Sequence, residues 1–186
     1  MKLCKIKVLS CALAIVNLLV LFIFDYVILR ILTVSQSVKF MDATKLSPIL
    51  WFLVFIPAWL IVMPFIKDIL GKYHAIVSIT LPIIGALLHV MLFFIFKGRY
   101  FSEIIKIVDS FGLGSSLSAV TQINAGLGFY LVLLTYLILF VIYVIASKDA
   151  DLGNERLNTV VNKMADITLN IVHRDAKQDD STKNTG

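Results

Sequence analysis

The chain has 186 residues, of which 59% are hydrophobic and 16% charged, with a formal net charge of +5. A soluble domain is about 25% charged and at this size has no core large enough for so much apolar surface, which excludes a wholly soluble globule. The cations lie mostly at the ends of apolar runs, where they set orientation and meet headgroups; without a dense basic patch, a nucleic-acid partner is not expected.

In chain order, Lys2, Lys5 and Lys7 precede an apolar run interrupted by Asn17, Asp25 and Arg30. The run is longer than the roughly 7–15 residues of a removable signal's core, so it reads as an uncleaved first span over 8–32. Cys4 and Cys11 are about two helical turns apart and cannot bridge within one helix. The second span, 48–66, opens on Ser47-Pro48, a capping side chain followed by a residue suited to a first helical turn, and closes at Lys67-Asp68. The third, 75–96, has His89 as its only ionisable group and is expected to end at Lys97-Gly98-Arg99. The fourth, 126–146, is uncharged and ends before Lys148. Pro57, Pro64 and Pro82 lie within or near these runs, where proline commonly shapes helix packing.

Three connections join the spans. Residues 33–47 read as a short polar loop, and 67–74 as a tight turn around Gly71. In 97–125, Phe101, Ile104, Ile105, Val108 and Phe111 recur at helical spacing opposite Ser102, Glu103, Lys106 and Asp109, which predicts a short extramembrane amphipathic helix. Gly112–Ser116 then reads as a joint, with a re-entrant segment as the alternative. After the fourth span, Leu157, Val160, Met164, Ile167 and Ile171 step by three and four, the pattern of an amphipathic helix within 148–174. That helix has three available settings: on the membrane, on the ends of the spans, or against a partner. Its apolar stripe is the candidate partner-binding face. Residues 175–186 read as a disordered tail.

The expected fold is therefore all-α: a polytopic membrane protein with a four-transmembrane-helix bundle over 1–147, followed by the amphipathic tail helix. Lys2, Lys5, Lys7, Lys67, Lys72, Lys148, Arg156 and Lys163 fall on one side and Arg30, Lys39, Lys45, Lys97, Arg99 and Lys106 on the other. The leading lysines favour a cytoplasmic N-terminus, and an even number of crossings returns the C-terminus to the same side. The short loops suit a bacterial cytoplasmic membrane.

Asn17, Asp25, Arg30 and His89 are the candidate intramembrane polar sites, because polar and ionisable groups within spans are costly and often functional. Asp25 is placed to pair with another helix, His89 being one partner considered. Cys4, Cys11, His74, His89 and His173 share no metal-ligand spacing, and no nucleophile–base or paired-carboxylate constellation is present, so no metal, cofactor or catalytic residue is assigned. The expectation is a non-enzymatic interaction, assembly or immunity-type accessory protein that works with a protein partner or as a homo-oligomer in the lipid bilayer. An oligomeric small transporter or channel subunit is the alternative, and an intramembrane enzyme the outsider.

Overall fold

The computed structural model describes residues 2–31, 34–110, 121–148 and 155–183. Its elements in chain order are α1 (Lys2–Ile23), β1 (Asp25–Ile31), β2 (Val34–Lys39), α2 (Phe40–Leu46), α3 (Phe52–Val62), α4 (Lys67–Leu70), α5 (His74–Ser110), β3 (Thr121–Ala125), α6 (Leu127–Ala146) and α7 (Glu155–Lys183). Short 3-10 turns, Pro48–Trp51 and Met63–Phe65, flank α3, and a third, Gly71–Tyr73, leads into α5.

Four helices pack in a ring. α1 touches α6 and α3, and α5 touches the same two neighbours. Ala14, Leu21, Leu53, Leu60, Leu92, Val132 and Leu139 are buried at their shared centre. Gly85 of α5 makes one close approach feasible, because a Cβ there would lie 2.6 Å from Cε1 of Tyr136. The outward surfaces are apolar as well: Phe55, Leu87, Phe94, Tyr130 and Leu137 are exposed, as expected where lipid tails are the solvent.

Among the described residues, three stretches are long and apolar enough to cross a membrane: Pro48–Phe65, His74–Glu103 and Leu127–Ala146. The apolar part of α1, Lys7–Ile23, is 17 residues.

The first span expected over 8–32 is corrected. Its helix ends at Ile23, and Asp25–Ile31 forms the central strand of a three-stranded antiparallel sheet ordered β2-β1-β3. β1 pairs with β2 through Val27↔Val38 and Arg30↔Ser35, and with β3 through Val27↔Ala125 and Arg30↔Gln122. A short apolar, β-branched run reads alike as buried helix or strand, and only partners on both flanks decide it. The polar loop expected over 33–47 is, among its described residues, β2 followed by α2.

Two further expectations change. The separate surface helix near 101–111 is the last part of α5, which runs 37 residues from His74 to Ser110 without a break. Gly98 lies in this helix with nothing within 4 Å of the place its Cβ would take, so neither it nor the flanking cations end the helix. Phe111 and the Gly112–Ser116 joint lie outside the described residues, and so does the choice between a surface and a re-entrant course. At the C-terminus, α7 continues to Lys183, past the boundary at 174 beyond which disorder was expected. The turn expected at Gly71 is present, with φ of +52° at that residue, a conformation that favours glycine.

The molecule thus has two ends. One carries the sheet and α2. At the other, α6 ends near Ser147 and α7 packs beside it.

Candidate functional site

The sheet is held to the bundle by backbone contact. β1 starts two residues after α1, and β3 ends directly before Gly126, whose N–H donates to the Tyr26 carbonyl at 2.9 Å. A Cβ on Gly126 would lie 2.2 Å from the Asp25 carbonyl oxygen, and one on Gly128 would lie 3.1 Å from the same atom. These two glycines let the start of α6 lie directly against the junction of α1 and β1.

A ring cluster fills the space below this joint. Tyr26 is buried, with its ring centroid 5.6 Å from Phe40, 5.5 Å from His89, 6.2 Å from Phe93 and 6.3 Å from Phe129. His89 stacks on Phe129 at 4.7 Å. Such pairs add about 0.5–1.5 kcal/mol each beyond their burial. The His89 ring approaches the Phe129 backbone, yet neither ring nitrogen completes a hydrogen bond, and the Tyr26 hydroxyl is likewise unpartnered. Burial holds the Tyr26 phenol protonated well above its usual range, with the neighbouring Tyr136 adding to the effect.

β1 divides its side chains between two faces. Val27 and Leu29 are buried on one, together with Ile123 of β3. The other face carries two cross-strand rows, Ser37–Ile28–Asn124 and Ser35–Arg30–Gln122. Ser35, Ser37, Arg30, Gln122 and Asn124 are all exposed, and Ile28 is half-buried. The result is an exposed surface with one guanidinium on its central strand and hydroxyls and carboxamides on the strands to either side. These groups donate and accept hydrogen bonds without another formal charge. Where α5 passes the Pro48–Trp51 turn, Ser47, Phe96, Arg99, Tyr100 and Glu103 line a small recess.

The four candidate polar residues do not converge. Asn17 is buried in α1, and its Nδ2 donates to the Thr135 hydroxyl and, at 3.3 Å, to the Val132 carbonyl of α6. His89 lies in the ring cluster. Asp25 and Arg30, read as part of a span, are on β1. Asp25 begins the strand, and Arg30 belongs to the exposed rows. The Asp25–His89 pair considered from sequence does not form, since neither His89 ring nitrogen has a hydrogen-bond partner. Also among the described residues, no three His, Cys, Asp or Glu side chains are grouped closely enough to hold a metal ion.

At the opposite end, Val161 and Ala165 of α7 are buried where it packs on α6. Lys148 Nζ meets Asp166 Oδ1 at 2.7 Å across that contact. From the candidate stripe, Leu157, Val160, Ile167 and Ile171 remain exposed, and Met164 is half-buried. Sequence reasoning missed the sheet rows altogether. The one available signal was the cluster of β-branched and aromatic residues from Tyr26 to Ile31, which a run of apolar residues upstream concealed.

No protein-family model, curated relative or solved structure matches this chain.

Proposed function

We propose that this chain is a multi-pass membrane protein without catalytic activity, an accessory, assembly or immunity-type protein that binds a protein partner through its sheet. In this reading α1 also crosses the bilayer. Its 17 apolar residues rise about 25 Å at 1.5 Å each, close to the roughly 30 Å hydrocarbon core, and charged flanks cover a small shortfall. The membrane is then a cell membrane, with both termini on its cytoplasmic side and the sheet on the other.

The observation that supports partner binding is the pair of exposed rows around Arg30. A strand inserted between two membrane helices and locked by glycine contacts is a rigid support, and rigid supports position a recognition surface better than loops. A single guanidinium among neutral donors and acceptors suits a partner that offers a carboxylate and backbone groups, since arginine binds carboxylates bidentately.

The test is photo-crosslinking in native membranes from positions Ser35 and Gln122. A discrete adduct that is lost with Arg30→Glu and only weakened with Arg30→Lys, which keeps the charge but not the bidentate fork, is the expected result. If both positions give the same weak, diffuse labelling in the parent and in Arg30→Glu, the reading fails.

A further inference from the structure

Met164, half-buried, packs against the core, but the rest of the apolar stripe of α7 lies off the face with which α7 docks. Val161 and Ala165, 3% and 0% exposed, meet α6, whereas Leu157, Val160, Ile167 and Ile171 are 41%, 53%, 51% and 57% exposed. At 100° per residue the centre of the stripe falls at Ile171, roughly 80–120° around the helix from Val161 and Ala165. We propose that this stripe lies against the lipid surface, so that α7 is a monotopic helix set in the interface beside the end of α6.

Three observations on the molecule favour lipid as the occupant. The first is place. α6 is a membrane-crossing candidate that ends at Ala146, and Lys148–Asp166 holds α7 within a turn of that end. The second is angle. A helix lying in the surface plane beside an emerging helix touches it with its flank and the lipid with its underside, about a right angle apart. The exposed stripe and the docking residues have nearly this relation. A helix capping the bundle from above would instead turn its docking face toward the membrane.

The third observation is the distribution of charge. Arg156 and Lys163 lie on the flank of the stripe away from α6, roughly 60–80° from its centre. Glu155 and Asp166 are roughly 140–160° away, on the back of the helix. Cations at the edge of an apolar stripe can extend into the headgroups while their stems stay over the acyl boundary, and acids are best kept in water. This arrangement complements a surface containing anionic lipid.

The experiment uses the full chain with Cys4→Ser and Cys11→Ala, reconstituted at one copy per nanodisc. The discs contain phosphatidylcholine alone or with a quarter phosphatidylglycerol. Single cysteines at Val160, Ile167, Thr159 and Asn170, all exposed positions, carry spin labels. The expected result is that Val160 and Ile167 are several-fold less accessible to a water-soluble relaxant and more accessible to oxygen than Thr159 and Asn170. The contrast should grow with phosphatidylglycerol, and Arg156→Glu with Lys163→Glu should remove that increment. Equal aqueous access at all four positions overturns the proposal. So does protection that appears only with two copies per disc, which makes a second chain the occupant, or only in native membranes, which makes it a partner protein. None of these outcomes bears on crosslinking at the sheet, so the two readings fail separately.

Discussion

Asn17 of α1 joins Thr135 of α6 in the middle of the bundle, its amide donating to a hydroxyl that itself donates to the Val132 carbonyl at 2.8 Å. Within lipid the ends of such a bond have no water to turn to. The bond therefore selects one rotation of α1 against α6 in an interface that is otherwise apolar.

The link is expected to be modest in energy. Asn17→Ala should destabilise the protein by about 0.6 kcal/mol and at most about 2 kcal/mol, the range of interhelical hydrogen bonds in membranes. A double-mutant cycle with Thr135→Val, followed by thermal or denaturant unfolding in detergent, measures the coupling. Strictly additive losses would show that the two residues contribute independently.

The sheet joint gives a sharper contrast. A Cβ on Gly126 meets carbonyl backbone at 2.2 Å, and backbone yields little, so Gly126→Ala should abolish or severely reduce the folded fraction. Gly98→Ala has open space and a helical site, and should stabilise by about 0.8–1.0 kcal/mol. Monodispersity and melting temperature of the two purified variants, side by side, check this.

The strand assignment is open to a covalent test. Ile28 and Asn124 are register partners, and opposed antiparallel residues place their Cβ atoms about 4.5–5.5 Å apart. In a background without Cys4 and Cys11, Ile28→Cys with Asn124→Cys should crosslink rapidly with a short bis-thiol reagent. Leu29→Cys with Asn124→Cys should not, because neighbouring positions on β1 point to opposite faces. A helix continuing to residue 32 would produce neither pattern.

His89 tests whether a buried polar residue in this bundle is structural. Its nitrogens make no hydrogen bond and its ring stacks on Phe129. His89→Phe keeps the stack and removes groups whose burial without partners costs about 1–3 kcal/mol, so stability should be unchanged or higher. His89→Ala should lose several kcal/mol by leaving a cavity. A His89→Phe protein that is less stable than the parent would show that the imidazole has a polar partner in the membrane.

Docking of α7 should depend on packing more than on charge. Lys148–Asp166 is partly exposed, and such pairs contribute about 0–1 kcal/mol, so Asp166→Asn should alter protease sensitivity of α7 only slightly. Ala165→Asp sets a carboxylate in a fully buried site and should release the helix, seen as rapid cleavage within Glu155–Lys183 under limited proteolysis.

Much of this architecture follows from local pattern. The apolar runs around 48–66, 75–96 and 126–146 carry their own length and composition, and the bilayer demands that their backbone bonds close internally, so helix is the outcome whatever surrounds them. The tail helix is likewise legible from its three-and-four spacing. The end of α1 is different. Asp25–Ile31 becomes a strand because Val34–Lys39 and Thr121–Ala125 arrive on its two sides, the second from more than ninety residues away. No window of sequence contains that contact, and the glycine at 126 that permits it looks locally like the start of a span. The same holds for the candidate sites. That Arg30 is exposed in a cross-strand row rather than held within a span was decided by pairing. That α7 meets α6 with Val161 and Ala165, leaving Leu157, Val160, Ile167 and Ile171 exposed, was decided by packing. Sequence by itself determined that the long helices are apolar enough to cross a membrane and where they lie, because those depend on each segment's own hydrophobicity. Which residues face a neighbour and which face outward depends on distant partners, and only the tertiary structure supplied them.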